Sequence, residues 1–459
     1  MRLVIRHLSP LIRSRRRISF LFTIGILLSI LFILFIINHN QESKDFLNQP
    51  VKKYDNKHKL SNNMITLIQK IIPPQRKGTW PIDEQGHSLK TNFLVLDWTG
   101  FFGSTASEGE HVRCPSSNTT FIWTRQQNRI DEVDFIISHG ASEAIPFDRL
   151  QLNNDKQQYT MAFIMESEVH SGTGSGWARF NFKMTYNLDD SYPEPATYFD
   201  MNPYIIDLLT PPIIPFEDKE KQADIVWIIS NCHAHNGREG FVGRLMQEIK
   251  VDSYGACLNN RHGYGARMLD NFDAYKKYKF VIAIENSNCL DYVTEKLVLA
   301  VRSGSIPIVA GSNGRSDYRR YMPEHSFINI FDYLSIKDLA NDLKRIGNNK
   351  TLYESYLWYK KHDKDISKLK ELSLNEKLKH FADVIGSNAT MLTDGIAGKE
   401  KSENKVCKLI RFVRQTSWQD IAAHKRTGRA DSSIACLRGQ YILTHFDSAY
   451  TNNSESRKS

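Results

Sequence analysis

The folded body of this chain lacks a strong charge of either sign. Its 459 residues carry a formal net charge of +9, but six of the 60 basic residues are arginines within the first 17 positions. The remaining 54 basic residues face 51 acidic ones, a balance of only +3. The body also has no basic stripe with interleaved aromatic residues, a pattern typical of nucleic-acid-binding proteins. We therefore expect no nucleic-acid partner.

Two binding patterns are missing as well. The glycine-rich segment 172–176 lacks the Gly-Lys-Ser/Thr ending of a phosphate-binding loop. Cys232, His233 and His235 lie close together in the sequence, but no second ligand pair follows at the spacing of a structural zinc site. A disulfide or a solvated loop is the more ordinary interpretation of that cluster. The acidic pair at 189–190 stands alone, which favours solvated side chains over a metal chelate.

The N-terminal region has no acidic residue before a long uncharged run at 18–37. A run of about 20 apolar residues matches the thickness of a bilayer core, about 30 Å. Asn38, His39 and Asn40 follow it, in place of the small residues of a signal-peptide cleavage site. Because flanking arginines stay cytoplasmic, we predict a cytoplasmic tail at 1–17, a single-pass anchor at 18–37, a polar stem at 38–88 and a lumenal body.

Cysteine is scarce, and the even number of six suits a lumenal compartment that permits disulfides. The spacing does not give the pairing. Four N-glycosylation sequons agree with the same topology. The cysteines are Cys114, Cys232, Cys257, Cys289, Cys407 and Cys436, and the sequons begin at Asn118, Asn349, Asn388 and Asn452.

Short apolar runs predict two α/β domains. Runs at 92–98, 133–138 and 159–165 have the length of buried parallel strands and indicate a first domain over 89–215. A second series begins at 224–230 and continues through a helix at 238–249. It includes a strand, helix and strand at 280–284, 292–302 and 306–310, the crossover unit of doubly wound sheets. We place the second domain at 216–392, expect helices over 335–363, and leave 393–459 unassigned.

The segment 285–296, ENSNCLDYVTEK, lies between the end of a predicted strand and the start of a helix. Ligands of such sheets bind at the carboxyl ends of the strands, and a helix N-terminus with a lysine beside it favours phosphate. One hypothesis is therefore a nucleotide-diphosphate site. The alternative is a polar loop in which Asp291 or Thr294 caps the helix while Glu295 and Lys296 are solvated.

This segment resembles the signature of the α1,3-fucosyltransferase family, in which the strand is followed by ENS and then by Tyr-Val/Ile-Thr-Glu-Lys at this spacing. Further similarity covers roughly residues 92–365. The similar stretches are VLDWTGFFG, IMESE, IVWIISN followed by Arg238, GSIPIVAG, DYRRYMPEHSFINIFDY and LYESYLWYK.

The resemblance implies two Rossmann-like domains that face a cleft, the GT-B architecture, in a Golgi type II membrane protein. It implies inverting transfer of fucose from GDP-β-L-fucose to a hydroxyl of a GlcNAc-containing glycan on glycoproteins. No cofactor is required, and a divalent metal would be at most stimulatory. Glu166 matches the family's catalytic base, with Glu168 as a neighbouring competitor. The donor-binding positions are Arg238 and Lys296 at the diphosphate, Glu295 at the ribose hydroxyls, and Asn286 and Tyr292.

Two alternatives stay open. One is a transferase of the same fold that uses another sugar nucleotide or a protein acceptor. The other is a catalytically silent Golgi protein that retains the fold for binding, although such a protein would have no chemical need for Glu166, Arg238, Glu295 and Lys296 together. Glu168 follows Ser167 where many family members have proline, which leaves the acceptor undetermined.

Overall fold

A computed structural model of the chain describes residues 80–100, 106–140, 145–147, 150, 158–171, 175–263, 268–311, 317–360, 366–399, 403–423, 436–437 and 439–456. The predicted tail, anchor and most of the stem lie outside these residues. Within them, no helix combines the length and apolar character needed to cross a membrane. The two main sheets both belong to one compact unit, Gln75–Ser459.

The first sheet has six strands in the order β2-β3-β1-β4-β5-β6. All neighbours pair in parallel except β2 and β3. Strand β5, YTMAFI, is buried at every position, as expected for a parallel strand covered on both faces. The strands are β1 Asn92–Asp97, β2 His111–Cys114, β3 Thr119–Thr124, β4 Phe135–His139, β5 Tyr159–Ile164 and β6 Phe182–Thr185.

The stem is predicted to reach residue 88, but the chain is already folded from residue 80. Trp80 is only 4% exposed and packs edge-on against Phe93 of β1. Its indole Nε1 donates to Asp134 Oδ1 at 2.7 Å. Burying an indole gains a large apolar area, provided that its N–H finds an acceptor. Trp80 therefore anchors residues 80–88 to the first sheet's core, and folded structure begins within the predicted stem.

The second sheet is parallel throughout, with the order β12-β11-β9-β7-β8. Its central strands β7 and β9 are fully buried. A short antiparallel pair, β10 with β13, lies apart from both sheets. The strands are β7 Ile225–Ile228, β8 Val251–Tyr254, β9 Phe280–Ile282, β10 Asn288–Cys289, β11 Ile306–Val309, β12 Ile328–Asn329 and β13 Cys436–Leu437.

Helices surround the sheets in the described part of the chain. They are α1 Glu168–Ser171, α2 Met201–Leu209, α3 Arg238–Glu248, α4 Met268–Tyr275, α5 Glu295–Ser303, α6 Ile336–Gly347, α7 Lys350–Ser355, α8 Ile366–Glu371, α9 Leu374–Ile385, α10 Thr390–Thr393, α11 Ile396–Lys399, α12 Lys405–Gln415, α13 Trp418–Ala423 and α14 Tyr441–Ser456.

The predicted crossover is confirmed, because β9, α5 and β11 follow one another and β11 pairs with β9 in parallel. The helix begins at Glu295, three residues later than predicted. Thr294 is its N-cap and accepts from the N–H of Lys296. The backbone of Thr294 is extended, with φ −118° and ψ −168°, so the helix cannot include the residues before 295. The expected helical region 335–363 contains α6 and α7, separated where Asn349 caps α7.

The C-terminal region, left unassigned from sequence, packs against both sheets. Val406, Leu409 and Ile410 of α12 are buried in the first sheet's core. The later helix α14 packs on the second sheet, where Phe446 stacks on Phe241 of α3 at 5.5 Å between ring centroids. The apolar positions of this region were too scattered to reveal that they complete two separate cores.

All six cysteines form disulfides: Cys114–Cys407, Cys232–Cys257 and Cys289–Cys436. The first joins the first sheet to α12, and the third joins β10 to β13. The disulfide of Cys232 agrees with the disulfide interpretation of the Cys-His cluster. Among the described residues, no group of three His, Cys, Asp or Glu side chains could hold a metal ion.

Removing the Cys114–Cys407 bridge should destabilise the folded body more than removing Cys232–Cys257. The two bridges close sequence separations of 293 and 25 residues, and the entropy of the unfolded chain favours the longer cross-link by roughly 2 kcal/mol. Double Cys→Ala variants of each pair, unfolded in urea without reductant, measure the difference. An equal or smaller loss for the Cys114→Ala/Cys407→Ala variant would contradict the assignment of α12 to the first sheet's core.

Candidate active site

The candidate catalytic acid, Glu166 of the first sheet, contacts the segment 285–296 of the second sheet, which we call the donor segment. Glu166 follows β5 by two residues, and its Oε1 accepts from the hydroxyl of Tyr292 at 2.5 Å. The amide Nδ2 of Asn286 lies 3.5 Å from the same oxygen, and the N–H of Ser167 donates to it at 2.8 Å. Beside this contact, Ser167 Oγ lies 3.0 Å from Ser287 Oγ. Three of the predicted site residues, Glu166, Asn286 and Tyr292, therefore lie together.

Tyr292 is held as a neutral hydrogen-bond donor. Its side chain is only 2% exposed, and its ring packs edge-on against Tyr186 at 4.9 Å between centroids. Burial, followed by the charges of Glu285 and Glu166, raises the pKa of the Tyr292 hydroxyl far above its usual value. A phenol that keeps its proton donates to the carboxylate and cannot itself act as the base.

Asn286 has one unused polar atom. Its Oδ1 is buried and makes no hydrogen bond with any residue in the described part of the chain. A buried acceptor without a donor is costly. A ligand hydroxyl that donated to Oδ1 would remove that cost, so the atom fits a sugar-binding role.

Lys296 lies at the start of α5 among oxygen acceptors. Its Nζ is 3.0 Å from Glu285 Oε2, 3.1 Å from Glu295 Oε1 and 2.9 Å from Thr294 Oγ1. Glu285, the residue that follows strand 280–284 of the sequence prediction, is buried and also accepts from the N–H of Thr294 at 2.8 Å. The lysine charge is thus held at a helix N-terminus by a carboxylate from the end of a strand.

Burial and charge compete in this cluster. Burial opposes the ammonium of Lys296, but Glu285 and Glu295 outweigh it and raise the pKa of the lysine. Burial also opposes the carboxylate of Glu295, yet Lys296 outweighs it and lowers the pKa of Glu295. At Glu285 burial dominates and raises the pKa. The polar-loop alternative is therefore right about the Thr294 cap and wrong about Lys296, whose side chain is only 19% exposed.

Arg238 is the first residue of α3 and is almost fully buried, with 2% of its side chain exposed. Its Nη1 donates to the carbonyl of Ile284 at 3.0 Å and its Nη2 to the carbonyl of Asn231 at 3.1 Å. The guanidinium thus lies at the carboxyl ends of β7 and β9, one residue from Glu285. Its Nε also lies 3.3 Å from Glu239 Oε1, so the guanidinium is held by one carboxylate and two backbone carbonyls.

A histidine pair that received no catalytic assignment from sequence lies beside these groups. The rings of His170, on α1, and His235 pack edge-on at 5.0 Å between centroids. Partial burial lowers the pKa of His170. The carboxylate of Glu166 acts in the opposite direction, while the neighbouring His235 and Arg238 lower this pKa further. The sequence suggests only a metal-ligand role for His235. It assigns no role to Glu285, although the position of this residue after a predicted strand indicates that it lies at the site.

Comparisons with known proteins identify relatives of this chain. Residues 218–391 match the model of glycosyltransferase family 10 (fucosyltransferase), C-terminal part. The chain is 26% identical over 343 residues to alpha-(1,3)-fucosyltransferase C of Drosophila melanogaster, covering 66% of this chain and 76% of that protein. Residues 218–391 thus carry the C-terminal part of a glycosyltransferase family 10 (fucosyltransferase) domain, and the chain is similar to α1,3-fucosyltransferases. The family resemblance found in the sequence is thereby confirmed.

Other relatives in the family share a shorter region. The chain is 32% identical over 213 residues to glycoprotein 3-alpha-L-fucosyltransferase A of Drosophila melanogaster, covering 45% of this chain and 41% of that protein. It is 31% identical over 202 residues to 4-galactosyl-N-acetylglucosaminide 3-alpha-L-fucosyltransferase 9 of Bos taurus, covering 43% and 52%. The matched region thus spans about half the length of these two relatives or less.

A solved structure of an α1,3-fucosyltransferase with GDP-fucose aligns over 74% of this chain and 95% of that one. The TM-score is 0.42 and the identity 16%, too low for an argument about individual residues. The α/β architecture of this chain therefore rests on its own two sheets, and the roles of the six predicted site residues stay predictions.

The Glu295–Lys296 pair should stabilise the protein only while Glu295 is ionised. Because the pKa of Glu295 is lowered in the folded state, its contribution is present above the ordinary value of 4.5 and is lost as the pH falls through the folded pKa. Thermal unfolding of wild type and Glu295→Gln should differ at pH 7, and the difference should shrink below pH 4.5. The exposed Glu371→Gln serves as control. A difference that grows on acidification would contradict the pairing.

Proposed function

We propose that the chain is an inverting α1,3-fucosyltransferase that moves fucose from GDP-β-L-fucose to a hydroxyl of a GlcNAc-containing glycan on glycoproteins. The observation that carries the proposal is the contact between Glu166 and Tyr292, which joins an acid of the first sheet to the donor segment of the second. The printed names of the relatives support fucosyl transfer, and one of them names a galactosyl-N-acetylglucosaminide.

The acceptor hydroxyl oxygen attacks the anomeric carbon of fucose, and the bond from that carbon to the diphosphate oxygen breaks. GDP leaves with the bonding electrons, and the acceptor proton passes to the carboxylate of Glu166. Attack opposite the leaving group converts the β linkage of the donor into an α linkage. Because the three donors that contact Glu166 all use Oε1, Oε2 is the oxygen that receives the proton.

The departing diphosphate needs positive charge that is already in place. Lys296 and the N-terminus of α5 supply it, since a helix N-terminus and an ammonium both stabilise phosphate oxygens. Glu295 gives up its contact with Lys296 and instead accepts hydrogen bonds from the ribose hydroxyls of the donor. Arg238 uses three of its five N–H donors, on the carbonyls of Ile284 and Asn231 and on Glu239 Oε1. The remaining N–H groups of Nη1 and Nη2 are the ones that would donate to the diphosphate.

The surrounding architecture and location belong to the same proposal. The two sheets face a cleft in the GT-B arrangement, and the lumenal body follows a single-pass type II anchor at 18–37 in the Golgi membrane. The apolar run, its arginine flank and the four sequons support this topology. The three disulfides support an oxidising compartment.

Replacing Glu166 by Gln should lower kcat for fucosyl transfer by about 10²- to 10⁴-fold, because the acceptor proton loses its base. GDP affinity should change little. Glu168→Gln is the matched control, since Glu168 lies only two residues further on, at the start of α1, and it should turn over normally. The assay uses the lumenal domain, a panel of labelled sugar nucleotides and a GlcNAc-containing acceptor.

Three outcomes of that assay would contradict the proposal. Near-normal turnover by Glu166→Gln with loss in Glu168→Gln would move the base to Glu168. Transfer of a sugar other than fucose, or use of a folded protein but no glycan, would favour another transferase of this fold. Tight GDP binding without any turnover by the wild type would favour a silent binding protein.

We also propose that no metal cofactor is required, because Lys296 and the helix N-terminus already offer positive charge to the diphosphate. Turnover in EDTA should equal turnover in buffer alone, and Mg²⁺ or Mn²⁺ should at most stimulate it. Activity that is lost in EDTA and restored by one of these ions would contradict this part of the proposal.

A further inference from the structure

A nearly buried arginine joins three chain segments beside the donor segment. Arg320 is 11% exposed, and its Nη1 donates to both carboxylate oxygens of Asp291 at 2.8 and 2.9 Å. Its Nη2 lies 3.0 Å from Asp189 Oδ2. Nε and Nη2 also donate to the carbonyl of Asp394 at 3.0 and 2.7 Å. One guanidinium therefore binds three separate parts of the chain at once.

Asp291, which directly precedes Tyr292, is held from several sides. Its side chain has no exposed surface, and Oδ2 accepts from the N–H of Leu188 at 3.1 Å. Its carbonyl accepts from the hydroxyl of Tyr321 at 2.9 Å. The left-handed φ of 60° is unfavourable for a residue with a side chain and persists only where neighbours hold it. The position of the Tyr292 backbone is thus set by these contacts.

The same contacts connect Asp291 to the first sheet. Leu188 and Asp189 lie in the segment that leaves β6, the edge strand next to β5. Glu166, the partner of the Tyr292 hydroxyl, follows β5. The two ends of the Glu166–Tyr292 contact are therefore tied together a second time, through Asp189, Arg320 and Asp291.

We propose that Arg320 and Asp291 are positioning residues for catalysis, which set the register between Tyr292 of the donor segment and Glu166 of the first sheet. This inference rests on the proposed function. Neither residue contacts the proposed reacting atoms. Their effect is on the distance between the base and the donor, where a displacement of about 1 Å can cost about 10²-fold in rate.

The choice of variants follows from the burial of Asp291. Deleting the Arg320 side chain would leave a buried carboxylate without its cation, which destabilises the whole fold. Arg320→Lys keeps the charge but loses the planar fork that reaches three partners. Asp189→Asn removes the negative charge from the arm toward the first sheet, on a side chain that is 56% exposed and also pairs with Lys399. Arg319→Lys is the matched control, because the neighbouring Arg319 is 55% exposed and pairs with Asp317.

The first measurement separates binding from turnover. For Arg320→Lys and Asp189→Asn we expect kcat for fucosyl transfer to fall by about tenfold or more. GDP affinity should stay within about threefold of wild type, and the melting temperature should match that of Arg319→Lys. Unchanged kcat in both variants, or a loss of GDP affinity that equals the loss of kcat, would overturn the inference.

The second measurement does not depend on the reaction. Amide hydrogen exchange over 286–293 should accelerate in Arg320→Lys and stay at the wild-type rate in Arg319→Lys. If the wild type is inactive with every sugar nucleotide, the proposed function fails. The exchange rates still show in that case whether Arg320 holds the donor segment in position. Equal exchange in the wild type and Arg320→Lys would overturn the inference whatever the activity.

Discussion

The charged side chains of the donor segment can leave water only because each meets a partner from the surrounding structure. The segment 285–296 carries three acids and one lysine, an excess of negative charge at a site proposed to bind a diphosphate. Arg320 compensates Asp291, and burial raises the pKa of Glu285. Buried ions without partners cost several kcal/mol each. Charge compensation is therefore the condition on which the shape of the site depends.

Compensation also explains how one lysine can serve an anionic ligand. Lys296 has three oxygen neighbours, and Glu285 is the most firmly held of them, because it also caps α5 through Thr294. Glu295 is the partner with more exposure, 34% of its side chain. A donor nucleotide can replace Glu295 beside Lys296 at little structural cost, while Glu285 continues to hold the ammonium in place.

The C-terminal region contacts the residues around the donor segment. Cys436 of β13 is bonded to Cys289 of β10, and this disulfide packs with Tyr292 and Tyr186 in one small apolar cluster. Further along, the N–H of Ile442 donates to the carbonyl of Asn236, just before α3. The same region enters the first sheet's core through α12. A segment without recognisable motifs thus contributes to both sides of the site.

The sequence by itself determined the central strands of both sheets, the strand ends that carry the site, and the segment 285–296 that meets Glu166. These features are local: apolar runs of strand length, the Thr294 cap and the ENS to Glu-Lys spacing each depend on a few neighbouring residues. The tertiary structure alone decided the disulfide pairs, the burial of Arg238, the folding of residues 80–88 and the links from Arg320 to Asp291 and Asp189. The disulfides and the Arg320 links join residues 25 to 293 positions apart. Their partners depend on how separate elements pack, which no local pattern of residue types records.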